Sequence, residues 1–161
     1  MRIALGNDHC GYSLKADVKA VLADLGVDVI DFGCHSSEPV DFPDIARLVC
    51  DAVRHGQAER GLLVCGTGVG ASMAANKIPG IRASVCHDVH CAHQGVEHDD
   101  MNVMCLGAQI VGAWLARDLI AAYVQARFLA SEDYKRRVGK LRDLELASAR
   151  ELLAADAAAR G

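Results

Sequence analysis

Leu62-Leu63-Val64-Cys65-Gly66-Thr67-Gly68-Val69-Gly70-Ala71-Ser72 is the stretch that decides the fold. An apolar run rises into a cysteine, a loop with three glycines follows, and a helical pattern begins at Ala71. Strand, glycine turn and helix together build an anion site. Glycines let backbone N–H groups approach a ligand without interference from a Cβ, and the helix N-terminus adds partial positive charge. Cys65 stands at the lip of that site. A thiol beside a cluster of N–H dipoles can have a lowered pKa, which makes it a candidate nucleophile or base.

Outward from this unit the same alternation repeats. On its N-terminal side, residues 3–6 read as a short buried strand. Residues 11–25 carry Leu14, Val18, Val21, Leu22 and Leu25 at helical spacing, with Gly26 as the stop. Residues 27–32 are rich in β-branched side chains and read as a second strand. A loop over 33–43 leads to a helix that Asp44 can cap and that ends near Gly56. On the C-terminal side, the helix begun at Ala71 runs to about Lys77 and breaks at Pro79-Gly80. Strands are expected over 82–86 and 102–106, with a short helix over 89–96 between them. Leu115, Leu119, Ile120, Tyr123 and Val124 mark a strong helix over 113–129. Ser131 caps a final helix to about Ala158. Five βα units in sequence predict an α/β fold, with a five-stranded parallel sheet covered by helices on both faces. The last helix, over about 131–158, has no strand of its own. Its apolar stripe (Val138, Leu141, Leu144, Leu152) suits packing on a partner subunit.

The totals bound the function. A chain of 161 residues reads as one domain over 1–161, and 52% apolar with 24% charged residues is ordinary globular composition. A net charge of −4 argues against nucleic-acid binding. No stretch approaches the roughly 18 apolar residues of a membrane span. The N-terminus does not read as a signal peptide. Seven cysteines without CxxC spacing then read as reduced thiols in a cytoplasmic protein.

In a parallel sheet, ligands gather at the carboxyl ends of the strands. Asn7, Asp8, His9 and Cys10 follow the first strand. Cys34, His35 and Ser36 follow the second, and Cys65 with the glycine loop follows the third. His87 and Asp88 follow the fourth, and Gly107, Ala108 and Gln109 the fifth. Cys50, Cys86 and Cys105 fall inside helix or strand patterns and read as space-filling. Asp8 could be a helix cap or, with His9, part of an acid–base pair. His87, His90, His93 and His98 crowd together with Cys86 and Cys91, but no pair has zinc-site spacing, and water-facing histidines are the plainer reading. Gly66, Gly68 and Ala71, with Asp88 twenty residues beyond Gly68, satisfy a dinucleotide fingerprint. That fingerprint belongs on the first βα turn, however, and here it follows the third strand.

Asp8-His9-x-Gly11, Asp41-Phe42-Pro43, Cys65-Gly66-Thr67-Gly68-Val69-Gly70 through Ala75-Asn76-Lys77, Gly80-Ile81-Arg82-Ala83, and His98-Asp99-Asp100-x-Asn102-Val103 occur in order over roughly residues 3–140. In these motifs the chain resembles the ribose-5-phosphate isomerase B family, which includes galactose-6-phosphate isomerase subunits and related sugar-phosphate isomerases. The resemblance implies a Rossmann-like three-layer α/β/α sandwich. It implies a homodimer or tetramer with active sites at the subunit interface, and an aldose–ketose isomerase that uses no metal or cofactor. Cys65 would be the base that moves the proton between C2 and C1. Gly66, Gly68, Val69 and Gly70 would hold the enediolate oxygen, with Thr67 donating to the same oxygen. His98, from the partner subunit, would open the sugar ring. Asp8 would hold sugar hydroxyls, His9 and Arg137 would face the phosphate, and Asp99 would lie near the enediolate.

The chain departs from the family pattern at three places. Members commonly carry Asn where Asp99 stands and Arg where Gln109 stands, and a further arginine aligns with Asp133. These changes bear on the substrate. A tetrulose phosphate such as erythrulose 4-phosphate, a six-carbon sugar phosphate and an unphosphorylated sugar stand beside ribose 5-phosphate. A non-catalytic nucleotide- or phosphate-binding protein is the reading from a different class.

Overall fold

The computed structural model describes residues 1–160. The chain forms two compact units, Met1–Phe128 and Leu129–Gly161. The first unit holds five strands: β1 (Arg2–Asn7), β2 (Asp28–Asp31), β3 (Arg60–Cys65), β4 (Ala83–Val85) and β5 (Val103–Gly107). Its helices are α1 (Lys15–Asp24), α2 (Phe42–Arg54), α3 (Val69–Ala75), α4 (Val89–Asp99) and α5 (Ala113–Gln125). All strand pairs are parallel, in the order β2-β1-β3-β5-β4.

The central strands are apolar on both faces because both are covered. Every residue of β5 is buried, as is β1 from Ile3 onward. Ile3, Leu5, Leu62, Val64, Met104 and Leu106 point to one face, where Val18 and Leu22 of α1, Val96 of α4 and Leu119 and Tyr123 of α5 complete a core. Ala4, Leu63, Val103 and Cys105 point to the other, against Val49 of α2 and Ala71 and Ala75 of α3. Helix, sheet and helix are the three layers expected from the sequence. Because α1 and α2 lie on opposite faces, the strand order reverses direction between β1 and β3. That is the switch point where a parallel sheet opens a crevice at its carboxyl edge.

Several boundaries differ from expectation. Helix α2 begins at Phe42, with Asp41 in extended conformation before it, rather than at a cap on Asp44. Pro43 fits inside the first turn because an N–H is unpaired there in any helix. Helix α3 starts at Val69, two residues earlier than the apolar pattern, because Gly68 turns the chain at φ +78°. Helix α4 runs on to Asp99, and its N-cap Asp88 accepts the Cys91 N–H at 2.7 Å. That bond accounts for Asp88 as a cap. Helix α5 stops at Gln125, short of residue 129.

The second unit is one helix, α6 (Glu132–Arg160), of 29 residues. Ser131 Oγ accepts the Tyr134 N–H at 3.3 Å, which makes it the expected cap. Glu132 and Asp133 stand in the first turn. None of its side chains is buried, and Leu141, Leu144, Leu146, Leu152 and Leu153 are exposed. Among the described residues, no helix is long and apolar enough to cross a membrane.

Candidate active site

The switch point brings β1 and β3 side by side, with Asn7 opposite Val64. One residue further, the Asp8 N–H donates to Val64 O at 3.2 Å, so Asp8 and Cys65 leave the sheet as neighbours. Asp8 is 5% exposed, and its Oδ1 accepts the Gly11 N–H at 2.9 Å. Gly11 presses on the same strand so closely that a Cβ there would lie 2.0 Å from Val64 O. The carboxylate is thereby fixed beside the Cys65 thiol.

Cys65 is half-buried. Burial pushes its thiol up, and the hydrogen bond and charge of Asp8 push it further, while the N–H groups of Gly66 and Gly68 pull it partway down. The thiol therefore rests protonated at neutral pH. The sequence suggested the opposite, a thiolate favoured by the glycine loop, because it could not place a buried carboxylate against the sulfur. The structural cysteines are set apart from it. Burial raises Cys50 and Cys86 to about 12, and Cys105 is raised well above the ordinary range.

The glycine loop leaves β3 and rests on the end of β5. Cys65 O accepts the Ala108 N–H at 2.8 Å, and Gly66 O accepts the Gln109 N–H at 3.0 Å. Thr67 is exposed, and its Oγ1 accepts the Val69 N–H at 3.3 Å. Gly70 faces Phe42, whose ring carbons lie 3.0–3.3 Å from where a Cβ would stand. Phe42 had no role in the sequence reading beyond its motif. It forms an apolar wall beside the loop, and the residue is 37% exposed. His9 Nδ1 accepts the Val40 N–H at 3.3 Å, which ties the segment before α2 to the site and leaves the proton of the neutral ring on Nε2. Gln109 Oε1 reaches within 3.2 Å of the Cβ position of Gly66.

Two further residues support this edge without any motif to announce them. Asn7 is fully buried and donates from Nδ2 to Asp8 O at 3.0 Å and to Cys34 Sγ at 3.1 Å. Lys15 is buried inside α1. Its ammonium donates to Asp31 Oδ1 at 3.0 Å, to Cys34 O at 2.8 Å and to Gly33 O at 3.3 Å. Burial pushes the Asp31 carboxyl up, but hydrogen bonds from Lys15, the Gly33 N–H and Lys19 outweigh it and hold the pKa below the usual value. A polar residue at the end of a buried strand and a lysine on the inner face of a helix were the only sequence signals for this pair.

Asp8, His9, Cys65, Gly66, Thr67, Gly68, Val69 and Gly70 are thus gathered by one chain. His98 and Asp99 are not. They occupy the last turn of α4, which begins after β4 and ends before β5. Asp100, the next residue, pairs with Arg82 at 2.6 Å, and Asn102 Oδ1 accepts the Arg82 N–H at 2.8 Å, both at the amino edge of the sheet. Cys65 pairs with Gly107 at the far end of β5, so the length of that strand, about 13 Å, separates the two groups. Arg137 lies on α6, its guanidinium 5.8 Å from the centre of the Tyr134 ring. The histidines and cysteines around α4 form no group of three or more metal-ligating side chains among the described residues. His93 pairs with Glu97 at 3.1 Å, and His87 Nε2 accepts the Gly107 N–H at 3.2 Å.

A family model described as Ribose/Galactose Isomerase matches residues 3–141. Ribose-5-phosphate isomerase B of Escherichia coli is 45% identical over 127 residues, which are 79% of this chain and 85% of that protein. A D-erythrulose-4-phosphate isomerase of Pectobacterium atrosepticum is 36% identical over 129 residues, 80% of this chain and 85% of that protein. Among solved structures, ribose-5-phosphate isomerase B of Clostridium thermocellum superposes with a TM-score of 0.88 at 43% identity, covering 92% of this chain and 99% of that one.

Proposed function

The chain belongs to the ribose/galactose isomerase family, and from that premise we propose that it is a cytoplasmic aldose–ketose isomerase interconverting ribose 5-phosphate and ribulose 5-phosphate. The observation that carries this reading is the Asp8–Cys65 pair at the switch point with the glycine loop beside it. An aldose becomes a ketose when the proton on C2 leaves, the electrons collect on O1 as an enediolate, a proton passes from O2 to O1, and C1 is protonated. Each step is proton transfer, which suits a site of one thiol, one carboxylate and backbone donors.

In this mechanism Cys65 passes its S–H proton to Asp8, and the thiolate takes the proton from C2. Backbone N–H groups of the 66–70 loop and the Thr67 hydroxyl meet the developing oxyanion. The thiol then returns the proton to C1, and Asp8 gives its proton back to the sulfur, which restores the resting pair. Asp8 also holds the sugar hydroxyls between which the oxygen-bound proton moves. His9, with its donor Nε2, faces the phosphate. Arg137 and Asp99 are assigned to the phosphate and the enediolate end from the family resemblance alone.

His98 opens the sugar ring in this reading, and it does so from a second copy. Its position at the amino edge of its own sheet supports that assignment, because it cannot serve the Cys65 of the same chain. We accordingly propose a homodimer, or a tetramer built of such pairs, with each active site shared between two subunits.

A coupled isomerase assay with ribose 5-phosphate, erythrulose 4-phosphate, allose 6-phosphate and their unphosphorylated parents tests the proposal. Turnover of ribose 5-phosphate is expected. Turnover of erythrulose 4-phosphate alone would replace the substrate and keep the chemistry. That second reading is favoured by the 36% identity to a D-erythrulose-4-phosphate isomerase. Failure with every sugar, together with stabilisation by nucleotides in a thermal-shift series, would overturn the isomerase in favour of a binding protein.

A further inference from the structure

We infer that His87 is a positioning residue: its Nε2 accepts the Gly107 N–H and so holds in place the peptide on which the 66–70 loop rests. Strand β4 has only three residues, and its last ladder pair sets Val85 against Cys105. Strand β5 continues two residues further, to Gly107. The Gly107 N–H is left beyond the end of β4, and His87 Nε2 meets it at 3.2 Å. A side chain thus supplies the acceptor that a longer strand would have provided from its backbone. The bond also sets the tautomer: Nε2 accepts, so the neutral ring carries its proton on Nδ1.

What rests on that peptide is the candidate oxyanion loop. A Cβ on Gly107 would stand 2.8 Å from the Thr67 carbonyl, and one on Gly68 would stand 3.1–3.4 Å from the Leu106 carbonyl and Gly107 N. Thr67 and Gly68 therefore lie backbone against backbone on Leu106 and Gly107, with no flexible side chain between these pairs to absorb a shift. Gly107 is buried, so without His87 its N–H would be an unsatisfied buried donor. The segment would move to recover a partner and carry the loop with it. Donors aimed at a developing oxyanion act mainly in the transition state, so their displacement lowers turnover more than it weakens substrate binding.

Two variants of the full chain test this. His87→Phe keeps a ring of similar volume and removes the acceptor, while His87→Gln keeps an acceptor at the same number of bonds from Cα. The first measurement is amide hydrogen exchange. His87→Phe is expected to speed exchange at Gly107 by at least about tenfold and to loosen Gly68, with His87→Gln close to wild type. Unchanged exchange in His87→Phe, or no rescue by glutamine, overturns the inference.

The second measurement rests on the isomerase reading. In His87→Phe, kcat for ribose 5-phosphate is expected to fall about tenfold while KM moves less than about twofold. Inhibition by a phosphorylated aldonohydroxamate, which mimics the enediolate, should weaken in proportion to kcat. A kcat and inhibitor affinity that stay at wild-type level while Gly107 loses protection would show that the bond does not position the loop, and would overturn the inference. Wild-type protein inert toward every sugar phosphate would overturn the isomerase reading instead, and the exchange at Gly107 and Gly68 would then decide the role of His87 alone.

Discussion

The Asp8 carboxylate faces the Cys65 thiol from just beyond the end of the adjacent parallel strand, and it helps to raise the pKa of that thiol while remaining fixed by the Gly11 N–H. A base that rests protonated beside a carboxylate behaves differently from a free thiolate. The difference can be measured at each partner.

Removing the sulfur removes the base. Cys65→Ala is expected to lower kcat for the substrate by at least about a thousandfold, at the upper range of general-base effects. Cys65 is half-buried at a strand end, so circular dichroism and Tm should stay near wild type. Turnover retained in this variant would refute the assignment of Cys65.

Neutralising the carboxylate should act in opposite directions on reactivity and turnover. Asp8→Asn removes a charge that raises the Cys65 thiol, so the midpoint of its alkylation rate against pH should move down. Turnover should fall, because the acceptor for the thiol proton is lost. An alkylation profile that does not move would mean that the carboxylate does not act on the sulfur.

Close backbone approach makes Gly11 intolerant. A Cβ there would stand 2.0 Å from Val64 O, which belongs to a central strand with no room to retreat. Gly11→Ala is expected to cost about 3 kcal/mol or more, read by denaturant unfolding. A loss below about 1 kcal/mol would show that β1 and β3 are not clamped at this point.

Stability should fall at both ends of the pH range. Asp31 has a lowered folded-state pKa, so its contribution is complete above the unfolded value and is lost as pH falls below about 4. Cys50 and Cys86 are raised to about 12. The unfolded chain releases those protons above about pH 8.5 while the folded chain keeps them, so stability falls as pH rises from there. Tm measured against pH should therefore show an acid limb that Asp31→Asn flattens. Its alkaline limb should be flattened by Cys50→Ala. An acid limb unchanged in Asp31→Asn would mean that the Lys15–Asp31 pair does not drive it.

A shared site predicts complementation. Cys65→Ala and His98→Ala should each be inactive alone. Mixed after dissociation, they should recover about a quarter of wild-type activity, because half the dimers are mixed and each holds one intact site. No recovery from a mixture shown to exchange subunits would refute the two-subunit arrangement.

Much of this protein was legible in its sequence, and the reasons are local. Apolar runs of strand length alternating with helical spacing announce a parallel sheet, since both faces of each strand must be covered. Gly66, Gly68 and Gly70 after an apolar run mark a strand–turn–helix, and the ordered motifs around them mark the family. What is set by spacing along the chain can be read along the chain. The tertiary structure alone decided the rest. The order β2-β1-β3-β5-β4 puts Asp8 against Cys65 and reverses the expected state of the thiol. The direction of α4 carries His98 to the opposite edge, and the early end of β4 leaves Gly107 to His87. Strand order, strand length and burial of a charge depend on residues far apart in sequence. A pKa is set by whichever groups those choices bring within a few ångströms.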